Sequence, residues 1–201
     1  PTLQPDALFG AMFGGAAWDY VSTPDQTNPT NIELIARVKL DDYTGATVQT
    51  IVSHFESTGN QRALLWSIDT DATIQFLTNS TGTAGGNVVT NSTVSLPSSN
   101  GTPIWIRVTW TETEDIARHY TSTDAGNTDP LSVSWSQLGA DVAHVDGSLF
   151  DTTGLWEVGA TNTGDNNNSA GCINRAVILD DVGGSAQIDF NPNKYTIGRS
   201  F

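Results

Sequence analysis

Acidic side chains are the main chemical resource of this 201-residue chain, with 22 Asp and Glu against 8 Lys and Arg, a formal net charge of −14. Glycosidic cleavage needs two carboxylates flanking the bond, roughly 5–9.5 Å apart. The densest group, Glu112-Thr113-Glu114-Asp115, would put Glu112 and Glu114 on one face of a strand. It falls at the end of an apolar run, however, and reads as a solvated strand terminus. His54, His119 and His144 have no H-x-x-x-H or comparable metal spacing, and His119 reads as a structural strand residue. A G-x-S-x-G nucleophile elbow is absent, and neither Lys39 nor Lys194 follows a glycine-rich phosphate loop. The single cysteine, Cys172, lies in Gly171-Cys172-Ile173, which suits a buried small apolar residue rather than a nucleophile and leaves no partner for an intrachain disulfide. No catalytic residue and no metal ligand is assigned.

Two kinds of binding chemistry stay open. Asp and Asn oxygens suit calcium, and Asp165-Asn166-Asn167-Asn168 is the densest tract of them. The EF-hand pattern fails there because Ala170 stands where the loop needs glycine, so the tract reads first as a turn. No other cofactor is expected. A sugar ring would stack on an exposed aromatic and bond to nearby Asn or Asp. Trp105 points away from the apolar row of its own strand, and Tyr120 and Trp135 lie in the segments flanking the loop Thr123–Pro130. These three are the candidate ligand-binding residues; packing over the outside of a sheet is the competing role for them. N-x-S/T triplets occur, among them those at Asn79, Asn91 and Asn100, in a chain where Asn, Ser and Thr are so common that such triplets arise without meaning.

The elements that must hold these residues are strands. No long 3.6-residue apolar period runs through the chain; short alternating or β-branched runs recur instead, at Ile32–Leu40, Thr47–Phe55, Arg62–Asp69, Thr73–Thr78, Val88–Leu96, Pro103–Thr111, Ile116–Ser122, Leu155–Ala160, Gly171–Leu179 and Ala186–Phe190. Turn chemistry separates them, as at Asn79-Ser80-Thr81-Gly82 and Ser98-Ser99-Asn100-Gly101. The fold class is therefore all-β, a two-sheet antiparallel sandwich. Alternation puts Ile104, Ile106, Val108 and Trp110 on a core face with Trp105, Arg107 and Thr109 opposite, and it buries Leu64, Trp66, Ile68, Trp156 and Val158.

The charge balance argues against nucleic acid, which demands Lys and Arg at phosphates, and against insertion into an anionic membrane. The run Ala7–Phe13 is too short to span a bilayer and has no basic residue before it, so no signal peptide is expected. Pro1 is what removal of a start Met before Pro would leave, which fits a protein made without classical secretion. Leu8, Phe9, Met12 and Phe13 make this stretch either a first edge strand or an arm that contacts a neighbour. Residues 1–21 are separated on that basis from a domain at 22–201.

The order of the segments carries a resemblance. Ser22-Thr23-Pro24-Asp25 precedes Ile32-Glu33-Leu34-Ile35-Ala36-Arg37-Val38 and then Leu40-Asp41-Asp42-Tyr43. Thr50-Ile51-Val52-Ser53, Asn60-Gln61-Arg62-Ala63 and Pro103-Ile104-Trp105-Ile106-Arg107-Val108-Thr109 follow. The series ends with His119–Asp124, Trp135–Gly139, Trp156–Gly159 and Gly171–Ala176. Across about Ser22–Phe190 it resembles the laminin-G-like, concanavalin A-like lectin and glucanase jelly rolls, especially those in bacteriophage tail and capsid-surface proteins. The resemblance implies a jelly-roll sandwich, but not a ligand, because lectins, hydrolases and inert spacers share this fold. Its glucanase members carry Glu-x-Asp-x-x-Glu on one strand, which Glu112-Thr113-Glu114-Asp115 does not match.

The expected function is a non-catalytic structural protein of the virion surface, a capsid decoration or tail-surface module. Its partners would be viral capsid or tail proteins and a surface glycan, and homo-oligomers are compatible with it. A secreted carbohydrate-binding module is the alternative. A glucanase-type glycosidase comes last, and a groove holding paired carboxylates would favour it.

Overall fold

The structure, a computed structural model, describes residues 11–15, 20–23, 27–124, 129–162 and 167–191, with the side chains of 11–14 left aside. Fourteen strands follow in chain order: β1 (Ala11–Gly14), β2 (Val21–Thr23), β3 (Ile32–Leu40), β4 (Gln49–Glu56), β5 (Gln61–Ile68), β6 (Ile74–Gly82), β7 (Asn87–Asn91), β8 (Ile104–Thr111), β9 (Ile116–Ser122), β10 (Ser136–Gln137), β11 (Val142–Ala143), β12 (Trp156–Val158), β13 (Ala170–Leu179) and β14 (Ala186–Phe190). One 3₁₀ turn, Ala84–Gly86, interrupts them, and the described residues form no α-helix.

Every pairing is antiparallel. One sheet has eight strands ordered β1-β13-β3-β8-β9-β10, with β14 also on β13 and β11 also on β9; the other has six, ordered β2-β12-β4-β5-β6-β7. On β13, β1 takes Ala170–Ile173 and β14 takes Ala176–Leu179, so the two short strands lie end to end along one edge. The stretch read as arm or edge strand thus enters the sheet at residues 11–14, while Leu8 and Phe9 lie outside the described residues.

Alternation dictates which side chains meet between the sheets. Leu34, Ala36, Val38, Ile104, Ile106, Val108, Trp110, Ile173, Ala176 and Ile178 come from one inner face, and Leu64, Trp66, Ile68, Ile74, Phe76, Trp156 and Val158 from the other. Trp66, Trp110 and Trp156 are 0%, 1% and 1% exposed, as their aliphatic flanks imply. Removing side chains of this size from water is the main driving force available to a chain with so little helix. β13 packs on β3 so tightly that Gly171 (φ +125°) has no room for a side chain: a Cβ would sit 2.4 Å from the Lys39 carbonyl oxygen.

Candidate functional site

The three aromatic candidates come together on the outer face of the eight-stranded sheet, though not in the way their exposure was expected. The β8–β9 register sets Arg107 opposite Tyr120, and β10 pairs Gln137 with Tyr120, so the segment holding Trp135 lies alongside. The turn at 129–132, fixed by Leu131 N–H and the Ser132 hydroxyl donating to the Asp129 carboxylate at 3.1 and 2.8 Å, leads Val133 onto this face. Val133 joins Ile35, Trp105, Val177 and Leu179 in a second, smaller core, against which Trp135 packs. Trp105 does face away from the inter-sheet core, yet it is 0% exposed, so it offers no ring face to a ligand. Alternation fixes direction; it cannot foresee that a loop fewer than thirty residues downstream folds back over the sheet. Residues 125–128 of the flanking loop lie outside the described residues.

Tyr120 and Trp135 are half-buried, and Arg107 lies against both. Its guanidinium carbon is 4.9 Å from the Tyr120 ring centre and 5.7 Å from that of Trp135. Arg107 Nε pairs with Glu33 Oε1 at 2.8 Å, and Glu33 Oε2 accepts the Gly183 N–H at 2.7 Å. One face of each ring is thereby taken by a cation that is already neutralised, an arrangement that stabilises the sheet surface. Sequence reasoning named the rings but missed the Arg107–Glu33 pair that organises them.

A cleft that the sequence reading did not single out opens on the outer face of the six-stranded sheet. Trp156 and Val158 belong to the core, so Glu157 between them points outward, opposite Ser53 of β4. Phe55, two residues further along β4, shares that face. Phe55, Glu56, Thr153, Gly154, Leu155 and Glu157 enclose about 130 Å³. Glu157 is only 3% exposed, whereas Leu155, at 39%, is among the few large apolar side chains left in water.

The walls are pinned. The side-chain carbonyl of Gln61 accepts from the Thr152 hydroxyl at 2.8 Å and from Thr153 N–H at 2.9 Å. His54, buried and stacked on Trp156 with ring centres 4.5 Å apart, is bonded through Nε2 to the Gly154 carbonyl at 3.0 Å and through Nδ1 to Asn28 Oδ1 at 2.9 Å. Glu56 Oε1 accepts Thr58 N–H at 2.9 Å, and the Arg62 guanidinium lies 5.6 Å from the Phe55 ring centre. The cleft therefore brings together an aromatic ring, an aliphatic side chain and two carboxylates, of which Glu157 is almost wholly buried, on a rigid frame. Glu157 was visible in the sequence as a polar residue between two core residues, but Glu56 and Glu157 stand a hundred positions apart and only the β4–β12 pairing unites them.

The remaining candidates are structural in their geometry. Glu112 and Glu114 sit in the turn between β8 and β9, where Glu112 accepts from the Ser148 hydroxyl at 3.1 Å and Glu114 pairs with Arg118 at 2.5 Å. His144 is buried beneath the β11 segment, its ring nitrogens 2.7 Å from Thr78 Oγ1 and 3.0 Å from Thr90 Oγ1. Burial pushes the imidazoles of His119 and His144 down to about 4 each; His119 feels His144 as a second cause, while the carboxylates of Asp146 and Asp115 oppose the shift at His144. Cys172 is buried as expected. In the Asp165–Asn168 tract the first two residues lie outside the described ones, and the Asn167 carbonyl accepts Thr50 N–H at 2.9 Å. Among the described residues no three His, Cys, Asp or Glu converge as a metal site. The N-x-S/T asparagines singled out above hold turns or loops: Asn79 caps the β6 turn, Asn91 donates to Asp69, and Asn100 donates to Asp42.

Two antiparallel sheets of this order, packed over one core and closed by short edge strands, define a concanavalin A-like jelly roll. Solved structures place the chain within that class. A heptameric SAP-like pentraxin from Limulus polyphemus aligns over 85% of this chain and 75% of its own, with a TM-score of 0.58 and 14% identity. The CBM40 of Ruminococcus gnavus IT-sialidase, bound to α2,3-sialyllactose, aligns over 83% and 93%, with a TM-score of 0.52 and 9% identity. The enzymatically active domain of bacteriophage CBA120 tailspike protein 2 aligns over 85% of this chain but only 25% of its own length, with a TM-score of 0.54 and 18% identity. At such identities the likeness is one of fold. No protein-family model matches the chain, and neither does any curated protein sequence.

Proposed function

We propose that this chain is a non-catalytic glycan-contacting module on the surface of a phage-like particle, attached to capsid or tail proteins. The observation that carries the glycan contact is the cleft of Phe55, Glu56, Leu155 and Glu157, in which hydrogen-bond acceptors and apolar surface meet on a rigid wall. That combination suits a sugar, which has hydroxyls around its rim and C–H groups on its faces. The fold shared with a carbohydrate-binding module and a tailspike domain supports the same assignment. The net charge of −14 suits a protein that must stay soluble while displayed in many copies.

The presence of Glu56 and Glu157 in one cleft favours a second reading, a glycosidase. Hydrolysis requires sugar on both sides of a scissile bond between the carboxylates. A space of about 130 Å³ is well below the roughly 300–1,000 Å³ that encloses a drug-sized ligand, and it has room for one terminal ring at most. Binding without cleavage is therefore the better fit. Two measurements test the proposal. A mass-spectrometric inventory of purified particles should contain the protein, and its absence there would leave a secreted binding module as the answer. Incubation with nitrophenyl glycosides should release no nitrophenol; release that disappears in Glu157→Gln would establish the glycosidase.

A further inference from the structure

We infer that the open edge of β7 pairs with the same edge of a second copy of this chain, joining two six-stranded sheets about a twofold axis. Among the described residues β7 has a strand on one side only, β6, and it ends the six-stranded sheet. Its register on β6 runs from Gln75 opposite Asn91 to Asn79 opposite Asn87 without a shift. One step beyond that register, Ser92 N–H donates to the Ile74 carbonyl at 2.8 Å. Bonds to a neighbour alternate along an antiparallel strand, so Val88 and Thr90 also turn their backbone groups to β6. Asn87, Val89 and Asn91 then turn theirs the other way, to the open side.

Proteins protect such edges with charge, proline, a bulge or extreme shortness. Elsewhere in this fold β10 and β11 have two residues each, β2 has three, and β14 carries the Asp189 that pairs with Arg175. β7, Asn87-Val88-Val89-Thr90-Asn91, has no charge, no proline and no glycine. It also reads almost alike from either end, with Asn at both ends, Val88 and the similarly shaped Thr90 inside them, and Val89 at the centre. An antiparallel pairing centred on Val89 sets it opposite the second copy's Val89, and sets Asn87 opposite the second copy's Asn91. These are the residues with outward backbone groups, so each such pair can exchange two hydrogen bonds. A twofold contact requires a self-complementary surface, and this symmetry is the reason to name a second copy rather than an unrelated strand.

Apolar surface gathers at the same edge. Val89, Val94 and Val145 are 48%, 51% and 67% exposed, three of the six large apolar side chains left in water among the described residues. Val94 lies beside Gly139, where an added Cβ would be 3.3 Å from its Cγ2. Val145 follows His144, whose Nδ1 is 3.0 Å from Thr90 Oγ1 of β7. Facing Val89 side chains add a cross-strand apolar pair to the backbone bonds. The cleft on β4 and β12 is separated from β7 by β5 and β6, so the pairing leaves it open. The net charge of −14 opposes the approach of two copies, and salt screens that repulsion.

The experiment is sedimentation velocity of the intact protein over about a hundredfold range of concentration, at low salt and at about 0.5 M sodium chloride. The dimer fraction should rise with concentration, and association should tighten at least about threefold at the higher salt. Val89→Lys places like charges directly opposite each other and should weaken association at least about tenfold. Val89→Pro removes an outward N–H while leaving the bonds to β6 in place, and should weaken it to a similar extent. Val89→Ile should keep the dimer, and Leu131→Lys, on the turn over the other sheet, should change nothing. Melting curves of each variant, taken at a dilution where the protein is monomeric, separate lost pairing from lost folding. A monomer at every concentration and salt, or a dimer that survives both Val89→Lys and Val89→Pro, overturns the inference. So does a dimer that Leu131→Lys disrupts and Val89→Lys does not.

Discussion

Replacing His119 by leucine should make this protein more stable, and most of all in mild acid. His119 lies on the inner face of β9, opposite Val108 of β8, and is 0% exposed. Neither of its ring nitrogens has a hydrogen-bond partner. A buried polar group left unsatisfied costs about 1–3 kcal/mol, and leucine fills a similar volume without that cost. The pH effect adds to it. Burial, with His144 nearby, pulls the folded imidazole from an ordinary 6.5 to about 4. Below pH 6.5 the unfolded chain binds a proton that the folded protein refuses until about pH 4. Stability is thus fully present above that window and falls as the pH drops through it. At about 1.4 kcal/mol per pH unit, the gap between 6.5 and about 4 amounts to about 3 kcal/mol at this one group. His119→Leu should therefore gain about 1–3 kcal/mol at pH 7, and about 3–5 kcal/mol at pH 4.5. Guanidinium unfolding followed by tryptophan fluorescence at the two pH values measures both, with equal slopes required for comparison. His144→Leu is the contrasting variant: it breaks bonds to Thr78 and Thr90 and should cost about 1–3 kcal/mol at pH 7. A His119→Leu protein that is less stable at pH 7, or that keeps the wild-type fall in stability between pH 7 and 4.5, would refute the reasoning.

Three further outcomes follow from the packing. Gly171→Ala should cost about 2–5 kcal/mol by thermal melting, since the residue sits at φ +125° and a Cβ would lie 2.4 Å from the Lys39 carbonyl oxygen. Asn79→Ala should cost about 1–3 kcal/mol, because the Asn79 side-chain oxygen accepts the buried Gly82 N–H at 2.7 Å and its amide donates to Thr83 and Asn87; a melt within error of wild type would show that the turn does not need it. Cys172, buried and with its thiol pushed up to about 11 by burial, should react with Ellman's reagent at pH 8 only after unfolding.

The strands were legible because their two faces meet different surroundings. Ile32–Leu40, Ile116–Ser122 and Ala186–Phe190 appear with the ends the sequence suggested, and the core rows at Ile104–Trp110 and Leu64–Ile68 face inward as alternation requires. The two-residue strands β10 and β11 carry no such signal. They exist because the open edge of β9 accepts their backbone, with register Gln137 to Tyr120 and Val142 to Ala117. The same limit governs the sites. Tyr120 and Trp135 were recognised as residue types, but their meeting with Arg107 is a product of register, and the sealing of Trp105 is a product of the Val133 loop. Glu157 became a cleft residue only when β12 settled between β2 and β4.

Among the described residues, the cations lie mostly on one outer face. Arg37, Lys39, Arg107, Arg118 and Arg175, five of the chain's eight Lys and Arg, alternate outward on the eight-stranded sheet. Carboxylates pair there with Arg107 (Glu33), with Arg118 (Glu114 and Asp141) and with Arg175 (Asp189). These ion pairs and the Tyr120 and Trp135 rings share that face. The six-stranded sheet keeps Arg62 near its rim, where the guanidinium rests on Phe55, while Glu56 and Glu157 stand together in the cleft beside it.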